Sequence, residues 1–333
     1  MSKKLLSVVL VVLLIGTLLI GCSQGSEDKA ETIKLKMSVT PSENSTWTKG
    51  AEMLAKLVKE NSNGEMEIEI YPNEELSGGD QGKGIAMVRD GSTDLSFHSN
   101  IIYSTMDERF GVISLPWLFP DYKTVDVALA GEGGAAINEL LDQVGIVGLG
   151  FGENGFRQIT NNKRVVANPE DLVGLKIRIP GIKMYNSLYK LLGADPISMN
   201  FSEVFTALQE EAIDGQENPI DVIDSSKIYQ AQKYLAIWNY SYDAIILGMN
   251  KEKFDSLSVE HQNILKEAAV IATEYQVNTN REAEGDQITK FEAEGMTVTR
   301  LSSDQIETFK EKVQPIYTEY EPIIGKDLID IFR

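Results

Sequence analysis

Segments with the pattern of strands and segments with the pattern of helices alternate along the first part of this chain. Residues 33–39 and 66–70 alternate apolar with polar side chains, and residues 94–97 form a third strand-like segment. Apolar residues at helical spacing follow Ser45 and recur over 85–89. This order of strand, helix, strand, helix and strand predicts parallel strands joined by right-handed crossovers. The chain is therefore restricted to the α/β class.

The same alternation begins again near Arg157, which predicts a second, similar α/β lobe. Its expected elements are strands 156–159, 175–179 and 195–199 and helices 182–192 and 202–213. Two later strands, 234–240 and 244–249, would carry the chain back between the lobes. A chain of 333 residues is too long for one small core and suits two lobes of this kind.

The predicted division of the chain makes both lobes discontinuous. Lobe I is expected to comprise 32–154 and 244–275, and lobe II 155–243 and 276–333. Further helices are expected over 122–143 and over 304–320, the second bent at Pro315. Residues 259–294 contain no proline, so either one helix of about 54 Å or two helices broken near Gly285 would fit the pattern.

The N-terminus has the composition of an export signal. Two lysines precede an apolar run that ends at Ile20, shorter than the roughly 20 apolar residues of a typical membrane-spanning helix. Cys22, the only cysteine, follows this run and resembles the cysteine of a bacterial lipobox. The resemblance implies a signal peptide over 1–21, a diacylglyceryl group on the Cys22 thiol and a polar tether over 22–31.

The charge of the chain excludes several classes of partner. Residues 1–21 contain two of the 31 basic residues and none of the 50 acidic ones, so the formal charge of the remainder is −21 instead of −19. Such a surface repels nucleic acid and anionic lipid headgroups. An anionic ligand would therefore have to be held by a local cationic pocket.

Three patterns that can indicate nucleotide binding or catalysis are incomplete. The G-x-G-x-x-G match at 150–155 is followed by a strand-like segment rather than a helix, and the glycine-rich segment 78–84 lacks the terminal Ser or Thr of a P-loop. The two histidines, His98 and His261, are far apart and belong to no zinc-binding motif. No cofactor or metal is expected, although a pair of catalytic carboxylates stays possible.

Arg178 and Asn218 are the strongest candidate binding groups. Arg178 lies near the end of a predicted strand, two residues before Pro180, at the carboxyl edge where open α/β sheets bind ligands. A guanidinium can donate two parallel hydrogen bonds to a carboxylate. A solvent-facing arginine paired with an acid would fit the same spacing. Asn218 precedes Pro219 and is expected to be extended, so its amide would either add a donor to the ligand or form a turn.

Four segments together resemble the solute-binding receptors of TRAP (tripartite ATP-independent periplasmic) transporters, the dicarboxylate and sialate receptor family. They are "MVRDGSTDLSF", "FRQITNNKRVV", "GLKIRIPG" and "FSEVFTALQEEAIDGQENP". The resemblance runs from about Ile33 to the C-terminus. It implies a two-lobed fold like that of periplasmic binding proteins, with a ligand cleft between the lobes and a long helix crossing both.

The resemblance also implies roles for single residues. Arg178 would make the bidentate contact with the ligand carboxylate, Asn218 would add a donor, Arg157 would be a second cation and Phe201 an apolar wall. Glu217 is expected to point behind the site and orient an arginine, because a carboxylate facing an anionic ligand would repel it.

Position in the fold adds further candidates from lobe I and from the segments that connect the lobes. They are Thr40, Gln81, Phe97, Ser99, Asn100, Trp238 and Tyr240. Where receptors similar to the sialate binders carry a glutamate after the third strand, this chain has "FHSN". Aromatic and amide groups of this kind would suit a hydroxylated acid or a keto acid.

The function that the resemblance implies is that of an extracytoplasmic, lipid-anchored receptor for a small organic acid. It would deliver its ligand to the small and large membrane subunits of a TRAP permease, with no cofactor and no nucleic acid. Two alternatives share the same cleft. One is an extracytoplasmic lyase or hydrolase acting on a carboxylate, and the other is a ligand sensor for a membrane signalling protein.

Overall fold

Two β-sheets organise the chain in the computed structural model of the protein, which describes residues 32–333. Each sheet is the centre of one of the two predicted lobes. The predicted signal peptide over 1–21, Cys22 and the tether lie outside the described residues. Helices and strands are numbered below in chain order.

Lobe I is built on five strands. They are β1 (Ile33–Val39), β2 (Met66–Tyr71), β3 (Leu95–Ser99), β4 (Ile146–Phe156) and β10 (Tyr242–Asn250). The spatial order is β2-β1-β3-β10-β4, in which β1 is parallel to β2 and β3, and β10 is antiparallel to β3 and β4. The parallel strands are those that the N-terminal alternation predicts.

The helices of lobe I cover this sheet. They are α1 (Thr46–Asn61), α2 (Gln81–Arg89), α3 (Asn100–Tyr103), α4 (Tyr122–Ala130), α5 (Glu132–Gln143) and α9 (Lys251–Asp255). The apolar face of α1, with Trp47 and Leu54, packs against the alternating apolar residues of β1, such as Leu35. The hydroxyl of Ser45 caps α1 by accepting a hydrogen bond from the backbone N–H of Thr48.

Lobe II is built on six strands. They are β5 (Gln158–Asn161), β6 (Lys176–Ile179), β7 (Asp195–Ser198), β8 (Gly215–Asn218), β9 (Tyr234–Ile237) and β11 (Thr297–Arg300). The spatial order is β11-β9-β5-β8-β6-β7, with β6 parallel to β7 and β8. Its helices are α6 (Lys183–Leu191), α7 (Phe201–Gln209) and α8 (Ile220–Ser225).

A single long helix, α10 (Val259–Ala293), runs through the described residues from lobe I to lobe II. Its 35 residues span about 52 Å, and it passes Gly285 without a break. The alternative of two helices broken at that glycine is therefore wrong. The chain also crosses between the sheets at Arg157, between β4 and β5, and again over 238–241, between β9 and β10.

Two expected helices are each divided in the structure. The predicted helix 122–143 is interrupted at Gly131, and the predicted helix 304–320 is replaced by α11 (Ser303–Val313) and α12 (Pro315–Ile324). Pro315 begins α12 because a proline without an N–H is suited to the first turn of a helix. A last helix, α13 (Lys326–Ile331), follows.

The C-terminal helices contact both lobes, whereas the predicted division assigned them to lobe II. α12 packs on α6 of lobe II and on the 3₁₀ turn Glu108–Ser114 of lobe I, and α13 packs on α5 of lobe I. The junction after the first part of lobe I also lies slightly later than predicted, because β4 continues to Phe156.

The two lobes touch through α8 and the start of α1, and through Ser202 and Gly79. Asp221 of α8 accepts hydrogen bonds from the backbone N–H and the hydroxyl of Thr46 at the start of α1. The hydroxyl of Ser202 donates to the carbonyl of Gly79 over 3.1 Å. The structure therefore has the lobes closed over the space between them. Within 32–333, no helix combines the length and the apolar composition needed to cross a membrane.

Candidate functional site

A cleft lies between the two lobes, and its cavity volume is about 30 Å³. Seven of the residues predicted from the sequence line it: Thr40, Gln81, Ser99, Arg157, Arg178, Phe201 and Asn218. Ligand pockets in proteins commonly measure about 300–1,000 Å³, so the cleft in this closed structure is narrower than a pocket that holds a metabolite.

The ends of strands bring these side chains together. Thr40 follows β1, Ser99 ends β3, and Asn218 ends β8. Arg178 lies in β6 beside Gln216 of β8, and Pro180 stops β6 two residues later. Because β1 and β3 of lobe I and β6 and β8 of lobe II are parallel pairs, their carboxyl ends meet at the cleft.

Arg178 is a buried cation with no acidic partner among the residues that the structure describes. Its side chain is 2% exposed, and no carboxylate oxygen of 32–333 lies within 4.0 Å of it. Nε and Nη2 both donate to the carbonyl oxygen of Met199, over 3.0 and 2.7 Å. Burial lowers the pKa of Arg178 to about 10, which still leaves it charged at neutral pH. The ring of Phe201 lies 5.8 Å from the guanidinium carbon.

Arg157 is equally buried but is fully engaged by acids. Its Nε donates to Glu217 Oε2 and its Nη1 to Asp243 Oδ2, while Nη2 donates to Glu217 Oε1 over 2.7 Å. Nη2 also donates to Asn218 Oδ1 over 3.1 Å. Burial alone would lower the pKa of Arg157, but the attraction of Glu217 and Asp243 raises it well above the usual value.

Glu217 faces Arg157 and does not line the cleft. Besides Arg157 it accepts a hydrogen bond of 2.7 Å from the hydroxyl of Tyr240, and its side chain has no exposed surface. The carboxylate is therefore shielded from a bound anion by the guanidinium in front of it. A role for Glu217 in binding stays a prediction.

On the lobe I side of the cleft, Thr40, Ser99 and Asn154 each donate a hydrogen to an acid. Thr40 Oγ1 donates to Glu74 Oε1 over 2.6 Å, and Ser99 Oγ donates to Asp243 Oδ1 over 2.5 Å. Asn154 Nδ2 donates to Asp243 Oδ2 over 2.7 Å. We call Thr40, Ser99 and Asn154 the acceptor wall, because the two hydroxyls have no hydrogen left for the cleft and Asn154 Oδ1 has no partner in the described structure.

Four predicted site residues lie outside the cleft. Phe97 packs in the core of lobe I, because alternation along β3 sends it to the face that α1 covers. Asn100 is used structurally: its amide donates to Phe110 O and Ser114 Oγ and accepts from the N–H of Ala244. Neither residue is among those that line the cleft.

Trp238 and Tyr240 also lie outside the lining of the cleft. Their rings pack at a tilt in an aromatic core with a centroid separation of 4.7 Å, and Trp117 and Tyr189 pack around them. The segment that connects β9 to β10 therefore buries its aromatic rings behind the cleft, where they fill the junction between the lobes. Tyr240 reaches the site only through its bond to Glu217.

Eight lining residues were missed. They are Pro41, Trp47, Ile101, Ile102, Asn154, Pro180, Val222 and Asp243. Trp47 shares a helix face with core residues, so periodicity gives it a packing role. Asn154 lies in the G-x-G-x-x-G segment, which the structure confirms as part of β4 rather than a nucleotide loop. Asp243 carries no local signal, because its partner Arg157 is 86 residues away in the sequence.

His98 and the glycine-rich segment 78–84 make contacts that support the fold. His98 Nε2 lies 2.6 Å from Glu74 Oε1, and both side chains are buried behind Thr40. Asp80, in the glycine-rich segment, caps α2 by accepting from the N–H of Lys83 over 2.9 Å. Among 32–333, no group of three or more His, Cys, Asp or Glu side chains is arranged to hold a metal ion.

Sequence comparison places the chain beside known binding proteins. Residues 37–322 match the family model described as bacterial extracellular solute-binding protein, family 7. The C4-dicarboxylate-binding protein DctB of Bacillus subtilis is 30% identical over 304 residues, covering 91% of this chain and 86% of that protein. The 2,3-diketo-L-gulonate-binding periplasmic protein YiaO of Escherichia coli is 34% identical over 220 residues, 66% of each chain.

Solved structures share the fold over nearly their whole length. A TRAP periplasmic solute-binding protein of Ralstonia eutropha, solved with (S)-2-acetolactate, has a TM-score of 0.88 and 34% identity and covers 90% of this chain and 97% of that one. The sugar-acid-binding protein of Advenella mimigardefordensis, in complex with galactonate, has a TM-score of 0.87 and 30% identity, covering 91% and 97%. A receptor of Sulfurospirillum deleyianum with succinate has a TM-score of 0.86 and 27% identity, covering 91% and 98%.

Proposed function

This chain belongs to family 7 of the bacterial extracellular solute-binding proteins, and from that premise we propose that it binds a small organic acid in the cleft through Arg178. The relatives are receptors of TRAP transporters whose ligands include succinate, D-erythronate and galactonate. The chain is accordingly a TRAP solute receptor for a carboxylate, which acts outside the cytoplasm. The residue roles below are proposed.

The observation that carries the proposal is the unpaired charge of Arg178. A buried ion without a counter-ion is costly, and a ligand carboxylate would remove that cost. Of the five N–H groups of the guanidinium, Nε–H and one on Nη2 are used by Met199 O. One N–H on Nη1 and one on Nη2 remain at the end of the fork, and a carboxylate can accept both.

Arg157, Asn218 and Phe201 have supporting roles in this proposal. Arg157 shares its charge between Glu217 and Asp243, so it would add a hydrogen bond rather than a free charge. Asn218 Nδ2 donates one hydrogen to Gln216 Oε1 over 2.6 Å and has a second available for the ligand. Phe201 stacks beside Arg178 and would exclude water from the bound carboxylate.

Closure of the lobes follows from a ligand that contacts both. A ligand held by Arg178 of lobe II and by the acceptor wall of lobe I binds the closed form better than the open form, and so shifts the population toward closure. The contacts from Thr46 to Asp221 and from Ser202 to Gly79 form only when the lobes meet. The closed receptor would then dock on the small and large membrane subunits of the permease.

The test of the binding role is Arg178→Lys, which keeps the charge and loses the fork. We expect the binding free energy of the carboxylate ligand, measured by titration calorimetry, to weaken by about 1.5–3 kcal/mol. Arg164→Lys is the matched control, because Arg164 is exposed on lobe II. Equal affinity in the two variants would remove Arg178 from the site, and chemical conversion of the recovered ligand would favour the enzyme alternative.

Anchoring by lipid at Cys22 is a further part of the proposal. Its support is the position of Cys22 directly after an apolar segment that two lysines precede. Two acyl chains give a stable membrane anchor. We expect Cys22→Ser to move the protein from the membrane fraction to the soluble fraction, with unchanged ligand affinity. Retention of the variant in the membrane fraction would contradict a lipid anchor.

A further inference from the structure

The charges that line the cleft leave room for one carboxylate and not for two. Among the described residues, the charged side chains that line it are Arg157, Arg178 and Asp243, and Glu217 lies against Arg157. These two cations and two anions sum to zero. Since both anions are engaged by Arg157, only the charge of Arg178 awaits a partner. A second carboxylate would enter a dehydrated space with no cation to receive it.

A larger cavity adjoins the cleft but does not change this balance. It shares Thr40, Gln81 and Phe201 with the cleft and adds Lys227 and Glu74. Lys227 is exposed, so its charge is screened by water, whereas Glu74 is buried. The adjoining space is therefore no better suited to a second anion than the cleft.

Thr40 faces the cleft as an acceptor. Its only hydroxyl hydrogen goes to Glu74, and Glu74 is held in place by Ser77 Oγ over 3.2 Å and His98 Nε2 over 2.6 Å. Burial would raise the pKa of Glu74, but His98 and the hydroxyl donors lower it overall, so the carboxylate stays ionised and cannot donate. Thr40 must then donate to Glu74, which leaves its lone pairs for the ligand.

Two further polar groups of the cleft have unmet hydrogen bonds. Asn154 Oδ1 is a buried acceptor without a partner in the described structure, because Asn154 Nδ2 is bound to Asp243. Trp47 Nε1 is a buried donor that also has no partner there. Trp47 and Asn154 are 2% and 3% exposed, so bulk water does not satisfy them. A ligand hydroxyl can accept from the indole and donate to an acceptor.

We propose that this receptor selects a monocarboxylate bearing hydroxyl groups and discriminates against dicarboxylates. The inference rests on the proposed function, since it assumes that Arg178 holds the carboxylate. The hydroxyl groups then donate to the acceptor wall and accept from Trp47. A second carboxylate in the place of the hydroxyl groups has no hydrogen to donate, so its oxygen lone pairs face those of the acceptor wall. Its negative charge also lies toward Asp243 and Glu74.

The test compares three four-carbon acids on the full-length protein by titration calorimetry. D-erythronate is a hydroxylated monoanion, butyrate is a monoanion without hydroxyls, and succinate is a dianion. We expect erythronate to bind at least about tenfold more tightly than either of the others. Succinate binding as tightly as erythronate would overturn the inference and leave the proposed function standing, and so would butyrate binding as tightly as erythronate.

Failure of the proposed function has a different signature. Absence of binding by all three acids and also by galactonate and acetolactate would overturn the proposed function together with the inference. Lys227→Met tests whether the exposed Lys227 binds a second carboxylate. If succinate binds the unchanged protein tightly and binds this variant more weakly, Lys227 receives the second carboxylate and the inference is wrong.

Asp243→Asn is expected to change the preference of the receptor between succinate and erythronate. It keeps the shape of the side chain and adds one net positive charge to the cleft, so the affinity ratio of succinate to erythronate is expected to rise at least about tenfold. Asp195→Asn is the matched control, because it makes the same change of net charge at an exposed position on the far end of β7. An equal change of the ratio in both variants would contradict the role of Asp243.

Thr40→Val supplies a second variant if Asp243→Asn does not fold. Valine keeps the shape of threonine and removes the acceptor, while Glu74 keeps Ser38, Ser77 and His98 as partners. We expect erythronate to bind about tenfold more weakly and butyrate to be unaffected. Equal losses of affinity for erythronate and butyrate would show that Thr40 does not bind a ligand hydroxyl.

Discussion

The regions around Arg157 and Arg178 differ in whether the buried arginine has acidic partners among the described residues. Both guanidinium groups are buried in the same cleft, at 3% and 2% exposure. Arg157 lies where the chain passes from β4 to β5 and is neutralised by Glu217 and Asp243. Arg178 lies at the end of β6, and among the described residues its guanidinium has a carbonyl oxygen and a ring as partners and no acid. Burial is therefore common to both arginines, and the missing counter-ion is the reason for which the binding role is proposed for Arg178.

The sheet of lobe II explains the difference. β5 and β8 are antiparallel neighbours, and Ile159 is in register with Glu217, so Arg157 at the start of β5 reaches Glu217 easily. β6 pairs with β8 only through Ile177 and Arg178. Beyond that point the guanidinium has left the sheet and meets the carbonyl of Met199, between β7 and α7. One arginine ties strands together, whereas the other extends into the cleft.

The largest effect is expected for Arg157→Met. This change leaves the carboxylates of Glu217 and Asp243 buried without a cation, so the free energy of unfolding should fall by about 3–5 kcal/mol. Urea denaturation followed by circular dichroism measures it. A loss below about 1 kcal/mol would show that Arg157 is not the structural partner of the two acids.

Arg178→Met is expected to weaken ligand binding without lowering the stability of the protein. Without a bound ligand, the free energy of unfolding should stay unchanged or rise by up to about 1 kcal/mol, because an unpaired buried charge is removed. The binding free energy of the carboxylate should weaken by about 3 kcal/mol or more. Thermal shift with and without ligand measures both effects. A variant as destabilised as Arg157→Met would remove the contrast between the two regions.

The smallest effect is expected for Tyr240→Phe, which refines the comparison on the structural side. It removes a hydrogen bond of 2.7 Å to the buried Glu217 carboxylate, so the free energy of unfolding should fall by about 1.5–3 kcal/mol, with ligand affinity nearly unchanged. Tyr317→Phe is the control, because Tyr317 donates to the neutral carbonyl of Pro116 and should cost only about 0.5–1.5 kcal/mol. A larger loss for Tyr317→Phe would contradict the assignment.

Local sequence patterns predicted helices and strands well where the element buries one face and the apolar residues repeat with its period. The alternation over 33–39 and 66–70 became the paired strands β1 and β2, and the proline-free segment 259–294 became α10. The placement of Arg178 at the end of a strand also followed from local signals, because Pro180 stops that strand. The break at Gly131 was missed, because the helical pattern continues on both sides of that glycine, whereas the bend expected at Pro315 is a break between α11 and α12.

The candidate site was predictable only in part. Thr40, Gln81, Ser99, Arg157, Arg178, Phe201 and Asn218 line the cleft as expected from motifs and strand ends. Trp238 and Tyr240 do not line the cleft, and the sequence does not show this because connecting segments rich in aromatic residues look alike whether they face a ligand or a core. Asp243 was missed because its partner Arg157 is 86 residues away in the sequence, and Trp47 was missed because its helical spacing gives it a packing role.

The sequence by itself determined the α/β class, the two lobes, the continuous proline-free segment and a guanidinium at a strand end, because each depends on side chains that are neighbours along the chain. The tertiary structure alone decided which arginine is neutralised and which way each hydroxyl of the cleft donates. Those properties depend on acids brought within hydrogen-bond distance from residues 60 and 86 positions away, and no local pattern encodes such a meeting.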